Sequence, residues 1–308
     1  MWKLLSSVLL GWSLGANNFA NIFGTGVATG TIKYRTAILL SVVFVLFGAL
    51  LEGPKCMETV GELSTLLTIE AFYCSLAAGI TMTVLTYFAI PTSTSQAIIG
   101  AIVGAGILSG SAADFSKLYK IIICWLVTPI GAIVLAYFLH RSLRYVLDKT
   151  ITNITHLSYI YSTGIIVAGC YSAYTLGSNN VATVTGVYVG SGLLSAGTAA
   201  LIGGLSIAAG IITYGKKVMI TVGKEIAPLD PFSALVTILA VAFTLHIFTQ
   251  IGVPVSSSQA IVGAVVGVGI VGGLRTVSAK VVTKITIGWF MTPLAAGILT
   301  VLFIKLLV

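Results

Sequence analysis

The chain has 308 residues, of which 57% are hydrophobic and 8% charged, and it carries a formal net charge of +8. Soluble domains are about one-quarter charged, so water is excluded as the solvent for most of this surface. The basic excess, which in a soluble chain would raise nucleic acid as a partner, falls in short loops and is explained by membrane topology instead.

Apolar runs that reach the roughly 20 residues needed to cross a bilayer recur along the whole length, which makes this an all-α, polytopic membrane protein. The first, 4–30, follows Met1-Trp2-Lys3 without a small-residue cleavage site and reads as a span, not a signal peptide. It is too long for one simple span and contains Gly15-Ala16-Asn17-Asn18, where a break in the helix is expected. A segment at 36–52 follows, and then Glu52, Glu58 and Glu62, whose default reading is a solvated face. Segments 72–90 and 96–109 flank Pro91-Thr92-Ser93-Thr94-Ser95-Gln96, a helix start inside the membrane; whether 72–109 crosses twice or folds back is open at this level. A span at 119–140 carries Trp125-Leu-Val-Thr-Pro129, and after a connector at 141–157 the second half runs through 158–194, 196–214, 232–252, 259–273 and 281–307. Cys56, Cys74, Cys124 and Cys170 have neither metal-ligand nor disulfide spacing and read as small apolar filler.

The halves repeat one another. Leu14-Gly-Ala-Asn-Asn-Phe-Ala20 returns as Leu176-Gly-Ser-Asn-Asn-Val-Ala182, Pro91-Thr-Ser-Thr-Ser-Gln96 as Pro254-Val-Ser-Ser-Ser-Gln259, and Trp125-Leu-Val-Thr-Pro129 as Trp289-Phe-Met-Thr-Pro293. The expected organisation is a first repeat over 1–140, a cytoplasmic connector over 141–157 and a second repeat over 158–308. An odd number of crossings in each repeat would insert the two in opposite directions. With both termini outside the cell membrane, Lys33, Arg35, Arg141, Arg144, Lys149, Lys216, Lys217, Lys224, Arg275, Lys280 and Lys284 fall inside, and only Lys3, Lys55, Lys117, Lys120 and Lys305 outside. That bias obeys the positive-inside rule and fits inverted-topology repeats with broken and re-entrant helices.

Each proline-led cluster would cap a helix whose N-terminus presents free amides and a partial positive charge to an anion. Two such ends converging across a repeat make an anion site. The duplicated Asn pairs offer amide oxygens to a cation or NH2 groups to an anion. His246, near Gln250, reads as a hydrogen-bonded core histidine, and with no visible orienting carboxylate it gives an intramembrane serine hydrolase no base.

These landmarks resemble the inorganic phosphate transporter (Pit) family, whose Gly-x-Asn-Asp-x-Ala-Asn signature is similar to Gly15-Ala16-Asn17-Asn18-Phe19-Ala20-Asn21 and to Gly177-Ser178-Asn179-Asn180-Val181-Ala182-Thr183. Its Pro-Val-Ser-x-Thr-His segment looks like Pro254–Gln259 and Pro91–Gln96. The resemblance covers nearly the whole chain and implies a non-enzymatic, cation-coupled phosphate symporter without cofactor; it leans towards a homodimer. Asn18 and Asn180 stand where the family usually has Asp, Gln96 and Gln259 where it often has His, and Val45 and Ile207 where a Glu is common. Lacking those carboxylates, the chain is expected to couple to Na+ and not to H+. Asn17, Asn18, Gln96, Asn179, Asn180 and Gln259 are the expected Na+ ligands. Ser93, Thr94, Ser95, Ser256, Ser257 and Ser258 are assigned to phosphate, with Asn21, Thr25 and Thr183 as helpers. Sulfate or another tetrahedral oxyanion is the rival substrate, and H+-coupled phosphate symport the rival mechanism.

Overall fold

The computed structural model describes residues 2–63, 65–88, 92–109, 114–225, 229–272 and 279–307. Pro91 and Arg275, and the side chains of Lys217, Lys224, Lys280 and Lys284, lie outside what is described. After a 3-10 turn at Trp2–Leu4 come α1 (Leu5–Ala28), α2 (Tyr34–Glu52), α3 (Pro54–Gly61), α4 (Thr68–Tyr87), α5 (Thr94–Ser109) and α6 (Phe115–Thr150). The second half holds α7 (Ile154–Gly190), α8 (Ala196–Glu225), α9 (Pro231–Gln250), α10 (Ser257–Gly272) and α11 (Ala279–Leu307). Among the described residues there is no strand, and six helices are long and apolar enough to cross a membrane.

The expected break at the Asn pairs is absent: α1 runs unbroken through Asn17-Asn18 and α7 through Asn179-Asn180. Asn inside a helix costs at most about 0.7 kcal/mol in propensity, and the first amide of each pair, Asn17 and Asn179, finds partners on other elements, so nothing forces the backbone to unwind. The breaks fall instead between α4 and α5 and between α9 and α10, beside the serine clusters.

Segment 72–109 folds back. α4 leaves a corner that ends near Leu63, and the chain returns after α5 to Asp114, whose backbone N–H donates to Leu63 O at 2.9 Å. That end of the bundle also collects Lys3, whose carbonyl accepts from the Tyr188 hydroxyl at 2.6 Å, together with the Lys117–Glu62 ion pair and Lys55 bonded to Gln250 at 2.8 Å. Twenty-seven residues further along α6, about 40 Å away at 1.5 Å per residue, Arg144 lies over the Phe232 ring, which also meets His140 and Tyr161. Lys216 lies over Tyr34.

The halves are interlocked, not side by side. α1 packs on α8 and α2 on α7; α5 packs on α11 and α10 on α6. Glycine permits each crossing. A Cβ on Gly15 would lie 1.9 Å from Ile207 O, and one on Gly177 2.1 Å from Val45 O; on Gly100 it would meet Pro293 O at 2.2 Å, and on Gly263 Pro129 O at 2.3 Å. In lipid no hydrophobic force draws helices together, so close backbone approach supplies the van der Waals contact that does. These glycine faces are thus occupied within the chain.

Candidate functional site: a buried polar layer between the halves

α5 and α10 begin alike. Ser93 Oγ accepts from the Gln96 N–H at 3.3 Å and Ser256 Oγ from the Gln259 N–H at 3.2 Å, the bond an N-cap makes to the third helical residue. The neighbouring hydroxyls pair, Ser93 with Ser95 at 3.1 Å and Ser256 with Ser258 at 2.8 Å. The amides of a first helical turn have no partner within their own helix, so each start presents donors and a positive dipole end to the space before it.

The first Asn of each pair holds the linker that leads into that start. Asn179 Nδ2 donates to Thr249 Oγ1 and to Val253 O, both at 3.1 Å, and Asn179 Oδ1 accepts from the Val255 N–H at 2.8 Å. In the first half Asn17 Nδ2 donates to Thr86 Oγ1 at 3.1 Å, and Asn17 Oδ1 accepts from the Thr92 N–H at 3.4 Å. These two side chains clamp hairpin tips. Thr86 and Thr249 were missed by sequence reasoning, although they repeat in the same register as the serine clusters.

The second Asn of the first pair is linked to the other half through Asn21. Asn21, one turn from Asn18, donates to Asn18 Oδ1 and to Ser257 Oγ of α10, both at 3.4 Å. α7 approaches α5 in the reciprocal way. Thr183, the counterpart of Asn21, turns its hydroxyl onto Asn180 O at 2.7 Å and so spends its donor on its own helix.

Fourteen of the fifteen expected site residues gather in this layer at no more than 4% exposure; Thr25 is half-buried. Within it, Thr94 Oγ1, Gln96 Oε1, Asn180 Nδ2 and Gln259 Oε1 are buried without a hydrogen-bond partner, as is Thr25 Oγ1. An orphaned buried polar group costs about 1–3 kcal/mol. A Gln at the third helical position ordinarily reaches back to the N-cap amide, yet both glutamines leave their oxygens free, at equivalent positions of the two halves. Among the described residues no three His, Cys, Asp or Glu side chains come together, so the layer's oxygen donors are neutral. Neutral oxygens suit a hard monovalent cation, and helix starts with hydroxyls suit an oxyanion.

Outside the layer, Glu52 is not the solvated acid expected of it. Its side chain is 17% exposed and contacts His246 Nε2 at 3.1 Å. An orienting carboxylate for His246 therefore exists, but the other ring nitrogen meets the Tyr171 hydroxyl at 2.5 Å and no serine, so no hydrolase triad forms.

The profile of a phosphate transporter family matches residues 14–300. A protein of Methanocaldococcus jannaschii named as a phosphate permease is 31% identical over 96% of this chain and 94% of its own length. One of Pyrococcus furiosus, named likewise, is 28% identical over 99% of this chain and 96% of its own. The solved structure of a sodium-dependent phosphate transporter superposes over the full length of both chains with a TM-score of 0.84 at 21% identity, a likeness of fold. The chain is an all-helical membrane protein that belongs to the phosphate transporter family.

Proposed function

We propose that this protein carries inorganic phosphate across the cell membrane in symport with Na+, using two repeats inserted in opposite senses, 1–140 and 158–308, joined by a cytoplasmic connector at 141–157. The observation that carries the reading is the matched pair of orphaned oxygens, Gln96 Oε1 and Gln259 Oε1, each beside a serine-capped helix start. Phosphate is held by the starts of α5 and α10, through Ser93, Thr94, Ser95, Ser256, Ser257 and Ser258, with Asn21 of α1 bridging to Ser257. Na+ takes Gln96, Gln259, Asn18 and Asn180, and the dianion balances its charge. Asn17 and Asn179 act on the same site by fixing the linkers. Both termini lie outside, on the face that gathers Lys3, Lys55 and Lys117.

Coupling to Na+ follows from the donor set, because a proton relay through the membrane needs an ionisable chain and the layer contains only amides and hydroxyls. Phosphate uptake into proteoliposomes should follow an imposed Na+ gradient and stay at background under a pH gradient without Na+. Equal uptake under the pH gradient alone would reject the coupling ion; sulfate taken up at the same rate would reject the substrate.

A further inference from the structure

α6 is longer than a bilayer requires. Its 36 residues span about 54 Å at 1.5 Å each, against a hydrocarbon core of about 30 Å. Residues 121–140 contain no Lys, Arg, Asp or Glu, and the first charge after them is Arg141. Residues 141–150 therefore leave the hydrocarbon and pass through the headgroups while still helical.

One side of this overhang is packed and the other is bare. Leu139, Leu143 and Leu147 lie against the core. The opposite side continues the stripe of Val134 and Phe138, which are 47% and 62% exposed and face acyl chains. At 100° per residue, Tyr145 and Lys149 fall within about 20° of Phe138 around the axis, and Arg141 about 60° to one side. All three are exposed. A side of the helix that meets acyl chains at Phe138 meets the headgroups of the same leaflet two turns later, since nothing in the chain covers it there.

The side chains on this face form a ladder of spacing four. Arg141 Nη1 donates to the Tyr137 hydroxyl at 2.8 Å, and its guanidinium lies 5.7 Å over that ring. Lys149 repeats the arrangement on Tyr145, donating to its hydroxyl with the ammonium 4.2 Å from the ring centroid. Arg144, on another side, pairs with Asp148 at 3.2 Å. Among the described residues neither Arg141 nor Lys149 enters an ion pair. A tyrosine hydroxyl orients a cation without neutralising it, so both keep full charge and spare donors.

We infer that this face of α6 binds anionic phospholipid, with the acyl chains along Val134 and Phe138 and the headgroup against Arg141, Tyr145 and Lys149. The planar guanidinium fork suits two oxygens of a phosphodiester, and Lys149, about 12 Å further along the axis, adds attraction from the water side. Tyrosine rings belong at this depth, and basic residues beside a span draw anionic lipid to it. A soluble phosphate has nothing to set against Val134 and Phe138. The inference is independent of the proposed substrate, coupling ion and buried site.

The test is native mass spectrometry of the detergent-purified protein at rising concentrations of phosphatidylglycerol, or of phosphatidylcholine with the same acyl chains. Wild type should bind its first phosphatidylglycerol at least about fivefold more tightly than phosphatidylcholine. Arg141→Gln with Lys149→Gln should remove that preference and leave phosphatidylcholine binding unchanged. Lys120→Gln with Lys305→Gln takes away the same charge elsewhere and should alter phosphatidylglycerol binding less than about twofold. Equal affinity of the wild type for the two lipids, a preference that survives Arg141→Gln with Lys149→Gln, or an equal loss in the control pair would overturn the inference. So would a dimer in the same spectra that only the Arg141 and Lys149 substitutions abolish, since the face would then belong to a second copy of the chain.

Discussion

Asn179→Leu is expected to reduce the initial rate of phosphate uptake to background while the protein still inserts and purifies as a single species. Asn179 bonds Thr249 Oγ1, Val253 O and the Val255 N–H. Leucine fills the space but leaves the Val253 carbonyl and the Val255 amide buried without those bonds, at about 1–3 kcal/mol each. Gly252 keeps its bonds to Thr59 and Thr249, and the Val253 N–H its bond to Phe248 O, but the stretch from Val253 to Val255 loses the bonds that fix it to α7, so it relaxes and carries the start of α10 out of register with the start of α5. A shift of 1–2 kcal/mol changes a conformational population by a factor of about 5–30, and two orphaned groups compound it. Asn17→Leu should be milder, since the Thr92 amide meets Asn17 at 3.4 Å where the Val255 amide meets Asn179 at 2.8 Å. Asn179→Asp keeps the acceptor for the Val255 N–H and should retain part of the rate. Wild-type uptake in Asn179→Leu, measured with radiolabelled phosphate in proteoliposomes of matched protein content, would remove the clamp from the account.

Gln259→Met should make the protein more stable and a worse transporter. The change keeps length and approximate volume and removes an oxygen that is buried without a partner. If that oxygen costs about 1–3 kcal/mol in the absence of a ligand, its loss raises the unfolding temperature measured without Na+ or phosphate. The same change removes an oxygen proposed to hold Na+, so the Na+ concentration for half-maximal uptake should rise at least about tenfold, the effect of 1.4 kcal/mol. Gln96→Met should behave alike, since its oxygen is orphaned in the equivalent place. Stability bought at the expense of function is the mark of a group kept for a ligand. A variant with unchanged Na+ dependence, or one that melts earlier, would show that the glutamine serves the fold.

How far the sequence carried this reading differs from element to element. The hairpin tips were legible, because Pro254 with Ser256–Gln259, and the Ser93–Gln96 cluster, put capping residues in the middle of apolar segments. The register of the repeat was legible for the same reason, and fourteen of the fifteen residues it singled out are buried at no more than 4% exposure. The Gly-x-Asn-Asn break was not real. Asparagine is weakly disfavoured in a helix, but a partner on another element offsets that cost, and no local pattern reveals whether such a partner exists. The roles of the two asparagines in each pair were also hidden. Asn17 and Asn18 are adjacent in sequence, yet 100° of helical rotation sends the first to its own half's linker and leaves the second bonded to Asn21, the residue that reaches α10. The Glu52–His246 contact joins positions 194 residues apart at a corner that occurs in one half only, so neither spacing nor repeat could announce it.

In the proposed site the starts of α5 and α10 hold one oxyanion between them. Equilibrium binding of radiolabelled phosphate to the purified protein, with and without Na+, tests this most directly when wild type is compared with the double substitution Ser95→Ala and Ser258→Ala. Saturable binding that requires Na+ in the wild type and weakens at least about tenfold in the double variant is the predicted result, one hydrogen bond to a charged ligand being worth about 1.5–3 kcal/mol. Unaltered affinity in the double variant would place the phosphate somewhere other than between α5 and α10.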